Sequence, residues 1–140
     1  MAPSPQKFRE IVFQLLFSCA FAETDAEDVA SFMMHEHAIT KKVLYTALEE
    51  RGRIEEKKEE IDRIITESSK MYAFERIGRT ELAILRLGIY ELLYAPAVPP
   101  KVAISEAIRL CRKFASPEGS AFVNAIMDKV KNELPAGQTA

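Results

Sequence analysis

The stretch ELAILRLGIYELLY, Glu81 to Tyr94, decides the class of this chain. Leu82, Leu85, Ile89 and Leu92 recur at helical spacing along one stripe, while Ala83, Ile84, Leu87 and Tyr90 nearly close the circle. A helix that is apolar almost all round belongs in the middle of a protein, with other elements packed on several sides. Arg86 and Glu91 must then reach an edge or find partners, because unpaired charge in the interior is costly. Pro96, Pro99 and Pro100 stop the helix and leave an extended connector into Lys101.

The segments on either side repeat the helical period, and none alternates with period two for long. Lys101 to Ala115 is amphipathic. Ala103, Ile104, Ala107, Ile108, Leu110, Cys111 and Phe114 point one way, with Ser105, Glu106, Arg109, Arg112 and Lys113 opposite. A turn over Ser116-Pro117-Glu118-Gly119 is expected next, and Ser120 can cap the last helix. There Phe122, Val123, Ile126, Met127 and Val130 cluster, leaving Asn124, Asp128 and Lys131 at the edge or outside. Towards the N-terminus a first helix is expected from Pro5 to about Phe21. It carries one stripe of Phe8, Ile11, Val12, Leu15 and Cys19, and a second of Phe13, Phe17 and Phe21 on the other side. Such a helix is sandwiched between layers, or offers one phenylalanine edge to a partner. Thr24-Asp25-Ala26-Glu27 has the capping-box form and opens a helix to about His35. Thr40 caps another over Lys41 to Arg51; Gly52 should weaken it before Arg53 to Lys70 resumes. The reading is all-α.

Composition narrows the function. With 140 residues, 48% hydrophobic and 29% charged, the chain can bury a core of its own as a single globule. No apolar run approaches the roughly 20 residues of a membrane span, and MAPSPQKFRE lacks the blocks of a signal peptide, so a cytoplasmic home is expected. Cys19 and Cys111 lie in apolar helical patterns without metal-ligand spacing and read as buried, reduced thiols. His35 and His37 stand two apart, which separates them on a helix, and nothing completes a zinc site. Five glycines in total form no phosphate loop. The expectation is therefore a binding module rather than an enzyme, without metal or cofactor. Its charge is uneven. Thr24 to Glu60 holds ten acids against six bases, whereas Lys101 to Lys131 holds six bases against three acids. A polyanion would be met at the basic end.

Three strings in the second half carry a resemblance. R-x-E-x-A-I-L-R-L-x-I-Y-E-L (Arg79 to Leu92), V-P-x-K-V-A-I-x-E-A-I-x-L (Val98 to Leu110) and F-V-N-x-I-x-D-K (Phe122 to Lys129) look like the NusB family of bacterial transcription antitermination factors. R-E-x-x-x-Q-L-L-F (Arg9 to Phe17) resembles that family's opening helix. The resemblance implies an all-α fold of about seven helices in two packed antiparallel helical subdomains. These form one domain over residues 1–136, with subdomains near 5–70 and 72–134 and a disordered tail at 135–140. It implies binding of boxA-type single-stranded RNA of nascent ribosomal transcripts, together with a small-subunit ribosomal protein (NusE), in an RNA polymerase antitermination complex.

Carried over residue by residue, the resemblance assigns Lys7, Arg9, Gln14, Phe17, Lys101, Glu118, Phe122, Asn124 and Lys129 to RNA, and Glu75 and Glu81 to the protein partner. The family's arginine-rich start is here PSPQKFRE, with only Lys7 and Arg9, and Phe17 stands where tyrosine is usual. The set suits single-stranded RNA, which is read by ring stacking and side-chain amides with cations on the phosphates. Phe122 can equally be core, Asn124 a structural hydrogen bond, and Arg109, Arg112 and Lys113 a solvated face. A helical protein–protein adaptor or dimeric scaffold with little RNA affinity is the other reading, and the Phe13/Phe17/Phe21 edge would suit a homodimer.

Overall fold

The computed structural model describes residues 3–19, 26–70 and 72–134. Among them are α1 (Pro5–Cys19), α2 (Ala26–His37), α3 (Lys41–Glu56), α4 (Lys58–Ser68), a 3-10 turn (Phe74–Arg76), α5 (Arg79–Tyr94), α6 (Pro100–Phe114) and α7 (Pro117–Asn132), with no strand. The chain is all-α. It divides into two compact units, Met1–Glu56 and Lys57–Ala140. The expected starts and ends at Phe21, Thr24 and Asp25, and the tail 135–140, lie outside the described residues.

In the first unit α1 packs against α2 and α3. Ile11, Val12 and Leu15 are buried on one side of α1, as their spacing requires. On the other, Phe13 is buried and Phe17 half-buried, their ring centroids 6.1 Å apart. Thr40 caps α3, its Oγ1 accepting from the Val43 N–H at 3.2 Å. Gly52 does not interrupt α3, which continues to Glu56 and yields only at Lys57 (φ −101°, ψ 6°). A single helical glycine costs about 1 kcal/mol, and burial of Ile54 in the next turn outweighs it. At its C-terminus α2 closes through Ala38, whose φ of 52° lies in the left-handed region, with the Ile39 N–H donating to the Met34 carbonyl at 3.3 Å. That position favours glycine.

The second unit is built around α5, which packs against α4, α6 and α7. Ala83, Ile84, Leu85, Leu87, Gly88, Ile89, Tyr90 and Leu92 are all buried. The sequence groups residues 53–70 with the first half, yet α4 buries Ile61 and Ile65 and packs on α5 and α7, so it belongs with the second unit. A Cβ on Gly88 would lie 2.6 Å from Met127 Cε; the bare backbone is what lets α7 lay a methionine there. Arg86 escapes isolation by donating from Nε and Nη2 to the two Asp62 oxygens, both at 2.9 Å. The Tyr94 hydroxyl donates to Glu60, and its pKa is pushed up to about 12, chiefly by desolvation and then by that carboxylate.

Two local expectations change. Glu106 falls on the polar side of the α6 wheel but is buried, where it accepts from Arg109 Nε at 3.0 Å and Nη2 at 3.2 Å. Helix α7 begins at Pro117 rather than after Ser120, because Pro117 suits the first helical position and Ser116 Oγ caps by accepting from the Gly119 N–H at 3.0 Å. None of the described helices is long and apolar enough to cross a membrane.

Asp62→Ala leaves the Arg86 guanidinium, 14% exposed, without this partner, and should lower the unfolding free energy by about 1–3 kcal/mol in urea titrations. Ala38→Gly should act oppositely, raising it by roughly 0.5–1 kcal/mol through relief of the left-handed strain.

Candidate nucleic-acid and partner interface

The first turn of α5 and the first turn of α7 share a carboxylate. Glu81 is the third residue of α5 after its N-cap Gly78. A Cβ on either Gly78 or Gly119 would collide with that carboxylate; for Gly119 the separation would be 2.6 Å. Glu81 is thus seated against two glycine backbones, beside the positive ends of two helices, where a negative charge is favoured. Around it lies a pocket of about 230 Å³ lined by Tyr72, Ile77, Gly78, Glu81, Ser116, Glu118, Gly119 and Phe122. Tyr72, 49% exposed, and the half-buried Phe122 form one wall, their ring centroids 5.4 Å apart and tilted by 49°. Among the described residues, the charged groups lining the pocket are the carboxylates of Glu81 and Glu118.

Tyr72 is also part of a second, wider pocket of about 650 Å³ along α4 and the 3-10 turn, whose lining includes Glu59, Asp62, Arg63, Lys70, Phe74 and Glu75. Three residues singled out from sequence, Glu81, Glu118 and Phe122, therefore meet in one pocket, and a fourth, Glu75, lines its neighbour.

The other candidates stand elsewhere. Lys129 is seven residues beyond Phe122, which puts it on the same side of α7 about 10 Å further along; it is exposed in the last turn. Asn124 lies about 160° round the helix from Phe122 and is half-buried. Lys101 is exposed in the first turn of α6. In the first unit Lys7, Gln14 and Phe17 share a side of α1, all half-buried, and Arg9 stands on the opposite side. Gln14 Oε1 lies 2.6 Å from His37 Nε2.

A sequence model of the NusB family matches residues 6–132. The chain belongs to the NusB family. It is 39% identical over 131 residues to the transcription antitermination protein NusB of Clostridium perfringens (strain SM101 / Type A), covering 91% of this chain and 96% of that one. To the NusB of Geobacter sulfurreducens it is 33% identical over 128 residues, covering 91% and 93%. The solved structure of T. maritima NusB superposes with a TM-score of 0.84 at 28% identity, covering 99% of this chain and 98% of that one. A chain from a crystal structure of a plectonemic RNA supercoil, 23% identical with a TM-score of 0.79, shares the fold.

Within this NusB-family chain, sequence reasoning gave no role to Tyr72 or Gly78, weighed His37 only as a metal ligand and read Gly119 only as part of a turn. Tyr72 lies in an irregular connector, where no periodicity marks a side chain as wall or surface. The pairing of His37 with Gln14 spans 23 positions and leaves no local signal. Gly78 and Gly119 could have been flagged only by knowing that Glu81 would pass both.

Among the described residues no three His, Cys, Asp or Glu side chains are grouped to hold a metal ion. Cys111 is buried, and its thiol is pushed up to about 11, first by burial and then by the charge of Glu81. At pH 8 its thiolate fraction is then about one in a thousand. In a Cys19→Ser variant Cys111 should resist a disulfide reagent at pH 8 while the chain is folded, and react fully once urea unfolds it.

Proposed function

We propose that this NusB-family chain is a transcription antitermination factor that binds boxA-type single-stranded RNA of nascent ribosomal transcripts together with a small-subunit ribosomal protein (NusE). It would act in the cytoplasm within an RNA polymerase antitermination complex, with no chemical step of its own. The observation that carries this reading is the aromatic wall of Tyr72 and Phe122 at the mouth of a pocket sized for one planar group. Unpaired bases stack on such rings. Cations on the phosphates would come from Lys101 and Lys129 in the second unit and from Lys7 and Arg9 in the first. Gln14, Phe17 and Asn124 would add amide and ring contacts. Glu81, with Glu75 in the adjoining pocket, suits a basic side chain of the ribosomal protein, since a seated carboxylate has already lost its freedom to wander.

A second reading has one observation behind it. Among the described residues no lysine or arginine lines the pocket, and two carboxylates repel phosphates. A protein–protein adaptor would use the same pocket for a cationic side chain and ignore RNA.

Filter binding of boxA-type RNA, with and without the ribosomal protein, separates the two. The wild-type chain should bind at low salt, more tightly with the partner. Tyr72→Ala and Phe122→Ala should each weaken RNA binding by about 5- to 100-fold, the worth of one stacked base. Gly119→Ala, which must displace the Glu81 carboxylate, should weaken capture of the ribosomal protein while sparing RNA bound without it. No RNA binding in either condition would overturn the proposal; partner binding indifferent to RNA would establish the adaptor.

A further inference from the structure

Gln14 is a glutamine with an assigned direction. Its Oε1 lies 2.6 Å from His37 Nε2, and both side chains are half-buried, so the contact is partly sheltered from water. An amide oxygen only accepts, so the contact is a hydrogen bond in the tautomer that carries the proton on Nε2, with the ring N–H donating to Gln14 Oε1. Two features set His37 beneath Gln14. It is the last residue of α2. The chain then turns at once through Ala38 in the left-handed region, closed by the Ile39 N–H on the Met34 carbonyl. A left-handed alanine costs energy that a glycine would avoid, and such strain persists where the surroundings hold it.

With its oxygen engaged by the ring, the Gln14 amide keeps its NH₂ end for a ligand. A glutamine without such a contact rotates and offers acceptor or donor alike; this one offers donors. Lys7, two helical turns earlier on the same side of α1, brings positive charge to that side, and Phe17 brings a ring. We propose that His37 is a positioning residue: it fixes Gln14 as a hydrogen-bond donor towards an acceptor edge of an unpaired RNA base, such as the carbonyl groups of uracil. The proposal rests on the RNA-binding reading above and adds to it the residue that sets the polarity of one contact. His37 itself touches no RNA in this account.

The test is a set of filter-binding titrations of full-length protein with boxA-type RNA, comparing wild type, Gln14→Ala, His37→Ala, the double variant and Gln14→Glu. His37→Ala should weaken binding roughly three- to tenfold, by restoring to Gln14 the freedom that must be lost again on binding. The loss should vanish in the Gln14→Ala background, since there is no amide left to orient. Gln14→Glu keeps an acceptor for the ring and lacks the donors, so it should bind no better than Gln14→Ala. The salt dependence should stay unchanged in His37→Ala, because no phosphate contact is removed. A His37→Ala protein that is folded by circular dichroism and binds as wild type overturns the proposal. So does a loss that persists in full in the Gln14→Ala background. Failure of the wild type itself to bind RNA, by contrast, brings down the RNA reading on which this one stands.

Discussion

A helix that is apolar almost all round has no stable existence in water, and α5 is such a helix. Everything in the second unit answers the need to cover it: α4, α6 and α7 each pack against it. Covering it closely requires α7 to approach at Gly88, where Met127 occupies the space that any side chain would take. The first turns of α5 and α7 meet over the Glu81 carboxylate, with glycine on both sides of it. The pocket beside it follows from how the core is closed.

The second unit keeps two groups that could react shielded or engaged. Its buried thiol is held protonated, and its buried Glu106 is committed to Arg109. In the second unit the carboxylates lie inside the pocket, while the exposed Lys101 and Lys129 sit at the start of α6 and in the last turn of α7. A bound strand would therefore lay a base on the Tyr72–Phe122 wall and keep its phosphates clear of Glu81 and Glu118. Such separation of acid from base within the second unit favours a ligand presenting both charge and neutral rings, and disfavours a simple polyanion.

The helices were legible because burial leaves a period. The stripe of Leu85, Ile89 and Leu92 could be read without any fold in mind, and so could the two-sided first helix. Capping was read less well: Ser116 and Ser120 both satisfy the rule for an N-cap, and Pro117 decides between them. Gly52 misled for a related reason, since intrinsic propensity is a weak force beside the burial of Ile54. Glu106 shows the limit of the helical wheel, which registers angle but not whether a neighbouring helix covers that angle. Of the site, Phe122, Glu118 and Glu81 were reachable through family likeness, whereas Tyr72 and His37 were not. Each meets its contact far away in the chain, Tyr72 beside Phe122 and His37 beside Gln14, and no local pattern encodes such distances.

Nuclear magnetic resonance mapping of a boxA-type RNA on the isotope-labelled chain tests most directly the proposal that these rings and amides receive an unpaired strand. Shifts concentrated at Tyr72, the first turn of α7 and the Gln14 side-chain amide would agree with it. Shifts gathered instead on the acidic Glu49–Glu60 stretch, or absent while RNA is in excess at low salt, would contradict it.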